Sequence, residues 1–481
     1  MKYTKSQMLQ ISKGDEEIAD FISMLLAHID QLEKTVDQLN GRVKELERQT
    51  GSTSRNSSKP PSSDGFRKPT SLRQQGGKKG APKGHEGNTL KMSGTPDQIE
   101  WHEPAACVHC QLSLAEAPIT SYKARQVVDL PSPRLIFTEH RVATKCCPNC
   151  QKTQQAAFPE QVNAPIQYGE SWSAWCAYLH TYQHLPLERI TDLFEDLTGH
   201  RPSEATLLSH LDKLSIRLEP IERVIKEKLM ASEIVHADET GMRIDRKLNW
   251  LHTVCNEQWT FYDHHPKRGK EAIDAIGLLP HYKGVVVHDF WKSYFNEEYP
   301  YTHALCGVHL LRECQGIIDY DHHQWAVELQ ALLREAWRET KKSITVGRPV
   351  EPETISSIES RYDDILSRGR KEWHMPIDPD QPRKRGRIAK SKAENLAERF
   401  LQYKADILRF FRHAQVPFDN NRAERDIRMM KVKEKISGSF RTKKGAKQFV
   451  RIRGFISTAR KQGLNLLDSL ILVNRGQFSF S

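Results

Sequence analysis

Between Ile18 and Leu46 apolar residues recur at Ile18, Ile22, Leu25, Ile29, Leu32, Val36, Leu39, Val43 and Leu46, with spacings alternating four and three. This is a heptad repeat with Ile22, Ile29, Val36 and Val43 at a and Leu25, Leu32, Leu39 and Leu46 at d. Branched residues at a with Leu at d favour a parallel two-stranded coiled coil. The pattern therefore predicts a helix over 15–49 that forms a homodimer through residues 18–46. Arg42 at g would face Glu47 at e of a partner helix. A helix packed on its own body is the plainer alternative.

The periodicity then stops. Residues 50–95 are dominated by Ser, Gly, Pro and Lys, too poor in apolar surface to offset the entropy of ordering. They read as a flexible basic linker. Over 97–155 the pattern turns strand-like, and RQVVDLPSPRLIFTEHRVATK predicts two strands turning at Pro131-Ser-Pro133. Residues 165–232 are helical, with a break at Gly199-His-Arg-Pro202 and a second helix capped by Ser203. That is compatible with a helix-turn-helix or with two ordinary packed helices. Short β-type runs follow in EIVHADETGMRI, NWLHTVCNEQWTFYDHH and KGVVVHDF, with helical KRGKEAIDAIGLLP between the last two. Residues 303–412 are mostly helical apart from a polar break at 374–392, and a last helical block runs to about 474. Strands giving way to helices point to an α/β core within a multidomain chain.

Length and charge sharpen this outline. At 481 residues the chain has room for two to four domains. The net charge is +11, yet residues 380–481 carry 25 Lys+Arg against 9 Asp+Glu, so the basic surface is concentrated at the C-terminal end. Such a segment suits a polyanion. No apolar run is long enough to span a membrane, and the N-terminal residues lack a signal peptide's apolar stretch. Nine scattered cysteines argue against a secreted disulfide framework and for a reducing, cytoplasmic setting.

Four of those cysteines form two knuckles, Cys107-Val-His-Cys110 and Cys147-Pro-Asn-Cys150. Two CxxC pairs brought together present four thiolates to one tetrahedral structural zinc. The 36-residue gap between them exceeds the usual template. Cys146 beside Cys147 leaves the fourth ligand open, with His102 or His109 as substitutes.

Two aspartates stand out by position. Asp238 ends the run Glu233-Ile-Val-His-Ala-Asp, and Asp289 ends Val285-Val-Val-His-Asp. Each run reads as a strand delivering a carboxylate at its C-terminal end, where open sheets place ligands. A single strand-end Asp is commonplace, because Asp often begins a turn. Two in one sheet, on a chain with a basic end, point to hard-metal binding by carboxylate oxygens. Two such ions clamp the attacking and leaving oxygens of a phosphoryl transfer. In PFDNNRAERDIRMMKVKEKISG a helix over 420–436 would put Glu424, Arg428, Lys431 and Lys435 on one face and Ala423, Ile427 and Met430 on a neighbouring apolar stripe. Glu424 would supply the third acid and the cations would bind DNA backbone; the plain reading is a surface Glu424–Arg428 pair. Asp419 is a rival ligand, although its place before Asn420-Asn421 suits a helix cap.

The chain resembles the transposases of the insertion sequence 66 family, of the DDE class with a ribonuclease-H-like catalytic fold. NSSKPPSSDG, the paired CxxC segment, HLPLERITDLFEDLTG, HADETGMRI with NWLH, VVVHDFWKSYF, HALCGVHLLRE and PFDNNRAERDIRMMKVKEKISGSFR carry the resemblance. It implies that Asp238, Asp289 and Glu424 are the catalytic acids, holding two magnesium or manganese ions. It also implies that a helical insertion fills much of the 135-residue separation between Asp289 and Glu424. Lys431 matches a position where related enzymes place a DNA-binding cation.

The expected plan is a dimerising coiled coil (15–49), a linker (50–95) and a zinc-ribbon-like module (97–155). A helical DNA-binding region (165–232) would follow, then a ribonuclease-H-like core (233–309 and 413–474) interrupted by an insertion (310–412). The implied partners are transposon-end and target DNA, with accessory proteins of the same element. The implied function is cleavage at transposon ends and strand transfer. An inactive DNA-binding regulator and a structure-selective nuclease are the competing readings.

Overall fold

The computed structural model describes residues 7, 10–57, 90–131, 133–374 and 390–480. Most of the expected linker, 58–89, and most of the polar break, 375–389, lie outside these residues. The chain divides into two compact units. One comprises the described residues of 1–72, 164–191 and 202–481, the other those of 73–163 and 192–201.

Among the described residues of the smaller unit the strands are β1 (Thr144–Cys146) and β2 (Thr153–Gln155), an antiparallel pair closing on the second CxxC knuckle. The hairpin expected around Pro131 is not formed: the described residues of 125–143 carry no strand. Their apolar side chains explain why. Val127, Leu130, Ile136 and Phe137 are all largely exposed, so no buried face repays the cost of ordering a ladder.

The larger unit begins with α1 (Glu16–Gly51), a single helix capped by Asp15, whose carboxylate accepts from the N–H groups of Glu17 and Ile18. The heptad positions from Leu25 to Leu46 are exposed. The last turn of α1 is anchored: Arg48 pairs with Asp321 at 3.3 Å. Helices α2 (Glu170–Ala177), α3 (Leu187–Thr198), α4 (Glu204–Arg217) and α5 (Glu219–Met230) precede the sheet. Ser203 caps α4 through the N–H of Thr206. The apolar face of α4, at Leu207, Leu211 and Leu214, is buried, so this helix has an ordinary packed side whatever its outer face binds.

The five-stranded sheet consists of β3 (Ile234–Ile244), β4 (Lys247–Cys255), β5 (Thr260–His265), β6 (Val285–His288) and β7 (Thr302–Leu305), with α6 (Lys270–Ile276) between β5 and β6. Its order is β5-β4-β3-β6-β7. β3, β4 and β5 are antiparallel, whereas β6 and β7 run parallel to β3. The β3–β4 turn uses Asp245 and Arg246, both at positive φ (49° and 61°), as a two-residue primed hairpin demands.

After β7 come the helices of the insertion, α7 (Gly307–Asp321), α8 (Gln324–Val346), α9 (Pro352–Trp373), α10 (Lys392–Gln402) and the short α11 (Lys404–Ile407) and α12 (Arg409–Arg412). Leu310, Leu329, Tyr362, Phe400 and Phe411 form one core with Val287, Ala304 and Leu305 of the sheet. The insertion is therefore continuous with the sheet and buttresses one of its edges. The chain closes with α13 (Asn421–Ser437), α14 (Lys443–Lys461) and α15 (Leu466–Asn474).

Candidate active site

β3 carries Asp238 and β6 leads directly into Asp289. Their parallel register pairs Ile234 with Val285, Val235 with Val286 and His236 with Val287. Continued by two residues, it sets Asp238 level with Asp289. The expectation that Asp238 ends its strand is corrected, since β3 runs on to Ile244. The antiparallel partner β4 carries the ladder onward, pairing Asp238 with Thr253 and Ile244 with Lys247. The parallel pairing with β6 stops at His236, two residues before Asp238, and β6 itself ends at His288. Asp289 follows directly, its Oδ1 accepting the N–H of Trp291 at 2.9 Å.

α13 brings Glu424 in its first turn. Ala423, Ile427 and Met430 are buried, and the latter two share a core with Met242, Ile244 and Leu251 of β3 and β4. Burying two such side chains contributes about 1.5–3 kcal/mol each. A polar clamp fixes the start of α13. Asn420 is 1% exposed, donates through Nδ2 to the Ala237 carbonyl at 2.8 Å and meets His236 Nδ1 through Oδ1 at 2.9 Å. The amide orientation makes His236 Nδ1 the proton donor, and burial lowers that imidazole to about 4, keeping it neutral. Asp419 accepts the N–H of Asn421 at 3.1 Å, a capping contact. The approach of this segment requires Gly307, where a Cβ would lie 2.3 Å from the Phe418 ring.

The electrostatics follow from the packing. Burial first, then the charges of Glu239, Asp289 and Glu424, drive the Asp238 carboxyl well above the usual carboxylate range. A fourth carboxylate, Glu239, is pushed up to about 7 by burial and Asp289, against the pull of Arg268 and Tyr294. Arg268 Nη2 lies 2.7 Å from Glu239 Oε1, and its guanidinium is 3.7 Å from the Trp291 ring centre. Glu239 thus has its own countercharge and Glu424 has the His309 imidazole at 3.9 Å, whereas among the described residues neither Asp238 nor Asp289 has an ion-pair partner. Arg428 is 3.9 Å from Glu424 but largely exposed. The like charges that raise Asp238 are of the kind a hard divalent cation with oxygen ligands offsets, so the donor chemistry of these carboxylates fits such an ion, although Asp238, Asp289 and Glu424 do not bring one oxygen each within 4.8 Å of one another.

The basic residues divide. Arg428 and Lys435 are exposed on α13. Lys431 Nζ donates to the Gly241 carbonyl and lies 3.2 Å from Glu434, so it also ties the helix to β3. Lys433, not singled out by sequence, is buried; its Nζ donates to the Gly438 carbonyl at 2.7 Å and lies 3.8 Å from the Phe440 ring centre. Cys306 and His309, which lie in HALCGVHLLRE and have no role readable from sequence, both stand beside Glu424. Burial opposes a charge on His309, but Cys306, Glu424 and Asp289 outweigh it and push the imidazole up to about 10.

The four knuckle cysteines are free thiols. The knuckles are built alike: Gln111 donates to the Cys107 carbonyl and Gln151 to the Cys147 carbonyl, each at 2.9 Å. Gln111 and Gln151 both have positive φ. Backbone N–H groups of Cys110 and His109 lower the Cys107 thiol, and those of Cys150 and Asn149 lower Cys147. That favours the thiolates a metal needs. No three of these four sulfurs fall within 4.8 Å of one another; among the described residues only Cys306, His309 and Glu424 form such a trio.

Comparison with known proteins adds the family. A family of unknown function (DUF6444) matches residues 9–91, and no curated protein matches the chain. The model of the transposase IS66 family matches residues 165–448, which hold the sheet, the insertion and Glu424. The chain belongs to the IS66 family of transposases.

Proposed function

We propose that the chain is a DDE transposase that cleaves phosphodiesters at transposon ends and joins the resulting 3′-hydroxyl to target DNA. The observation that carries this reading is the register of β3 with β6, which sets Asp238 level with Asp289, together with the felt charge of Glu424 at Asp238. The sheet order β5-β4-β3-β6-β7 supports reading this part of the chain as a ribonuclease-H-like core. Two magnesium or manganese ions, when bound, would supply Lewis-acid activation of the attacking and leaving oxygens.

The protein's own part is positional. Asp238, Asp289 and Glu424 hold the metal-binding oxygens, and the Asn420 clamp ties the start of the Glu424 helix to β3 beside Asp238. Arg428 and Lys435, with Lys431 nearer the strand, face the phosphate backbone and carry little sequence information. Reading of the end sequence falls to α3 and α4 or to the cysteine knuckles. Cys107, Cys110, Cys147 and Cys150 take one structural zinc. The exposed heptad seam of α1 pairs two protomers, which suits an enzyme that handles two DNA ends.

Asp238→Asn, Asp289→Asn and Glu424→Gln should each reduce magnesium-dependent cleavage of labelled end DNA by at least ~10³-fold, the scale of losing one member of a catalytic group. Binding of the same DNA should stay within a few-fold of wild type. Normal cleavage by Glu424→Gln would overturn the assignment.

A further inference from the structure

Cys306 follows β7 and caps α7, so His309 stands one turn inside that helix on the same side. The Cys306 sulfur, a ring nitrogen of His309 and a carboxylate oxygen of Glu424 all lie within 4.8 Å of one another. His309 Nδ1 is 3.9 Å from Glu424 Oε1, too far for a hydrogen bond. Both atoms are buried and neither has a hydrogen-bond partner. The two atoms attract only as a long ion pair, and across their gap, beside a fully buried sulfur, neither gains a hydrogen bond, an arrangement that a third body bonded to all three would complete.

We propose that Cys306, His309 and Glu424 bind one borderline-soft divalent cation of the zinc class, at a position distinct from the hard-metal position of Asp238 and Asp289. The donor chemistry separates the two. Carboxylate oxygens alone select magnesium or manganese, whereas sulfur, nitrogen and oxygen together select zinc or cobalt. Ligand atoms around tetrahedral zinc stand roughly 3.3–3.6 Å apart, given metal–ligand bonds of about 2.0–2.3 Å. The trio needs only a small inward closure to reach that spacing. Three protein ligands leave a fourth position open, as in zinc sites that exchange a water. Glu424 is shared between the two positions. On the catalytic reading above, zinc held through Glu424 withdraws that carboxylate from Asp238 and Asp289 and inhibits cleavage.

The test is metal stoichiometry on the full chain. Protein carrying Cys107→Ser, Cys110→Ser, Cys147→Ser and Cys150→Ser is loaded with zinc or cobalt(II), desalted and analysed. One ion per chain should remain, with a thiolate-to-cobalt charge-transfer band. Adding Cys306→Ser should abolish the band, and adding His309→Gln instead should weaken retention at least tenfold. In the otherwise wild-type chain, Cys306→Ser and His309→Gln should each lose one zinc equivalent, which keeps the test valid if the four-serine protein does not fold. Loss of all zinc on desalting a four-serine protein that retains the wild-type melting transition, or a zinc content unchanged by both Cys306→Ser and His309→Gln in the otherwise wild-type chain, overturns the proposal. Stoichiometry is read without cleavage, so its failure is distinct from a failure of the catalytic assignment.

Discussion

The acidic cluster and the cysteine knuckles are both ligand sets visible as spacing in the sequence, yet the fold supports them in opposite ways. Asp238, Asp289 and Glu424 hang from two paired strands and a docked helix, with Asn420 fully buried beneath them. The knuckles sit on largely exposed turns, the second flanked by strands of three residues and the first by the single Ala106–Ser113 bridge. The acids are therefore held in place by the protein alone, at the expense of crowding like charges. The thiols are organised only within each turn, and bringing the two turns together is left to whatever they bind. A metal would tune chemistry in the first region and supply structure in the second.

Three measurements would break or sharpen this contrast. The largest effect should come from chelation. Removing zinc should make residues 97–155 sensitive to protease, because apparent zinc binding energies of about 10–16 kcal/mol are folding energy in such modules. The melting transition of the sheet-bearing unit should move little. Equal collapse of both, followed by limited proteolysis and mass spectrometry, would contradict the contrast.

A smaller effect is expected from Asn420→Ala. It strands the Ala237 carbonyl and His236 Nδ1, which should cost on the order of 1–3 kcal/mol in a urea melt. Displacing Glu424 should slow cleavage roughly 10- to 100-fold while end-DNA affinity holds. Wild-type cleavage by this variant would show that the clamp does not position Glu424.

The smallest effect concerns Lys433. Burial lowers its ammonium to about 8, against a weaker opposing pull from Glu434. Between about pH 8 and the normal lysine range the unfolded chain holds the proton that the folded chain has lost, so stability rises with pH there. Below about pH 8 the full penalty applies. Lys433→Met should therefore stabilise the protein near neutral pH by about 1 kcal/mol and flatten the alkaline rise. A wild-type slope in the variant would mean that Lys433 is not its source.

Sequence carried far where periodicity or local chemistry decides. The heptads lead to one uninterrupted α1, and the Ala423, Ile427 and Met430 stripe is the face α13 buries. It carried less where the partner is remote. The two apolar runs flanking Pro131 have β-type composition but nothing to pack on, and composition cannot report a missing neighbour. Asn420 reads as one polar residue in a cap region, yet its partners lie 183 and 184 residues away. Lys431 reads as one more cation on a basic face, and its bond to the Gly241 carbonyl appears only once β3 lies beneath α13. Cys306 and His309 share a C-x-x-H spacing at a strand-to-helix junction, a visible signal whose meaning depends on Glu424 arriving from the far side of the insertion.

α7 joins two places that sequence keeps apart. Its first turn presents His309, with Cys306 as its cap, to Glu424. Its other end takes Arg48 on Asp321, and the Asn56 side chain reaches Asp319 and Tyr320. Gly316 is bare because a Cβ there would lie 2.3 Å from the Asn56 carbonyl oxygen. Fifteen helical residues span about 22 Å, and a hydrogen-bonded rod of that length transmits displacement along its axis better than it absorbs it. Geometry thus gives the long N-terminal helix a mechanical hold on the wall of the acidic site, through one strut pinned at both ends.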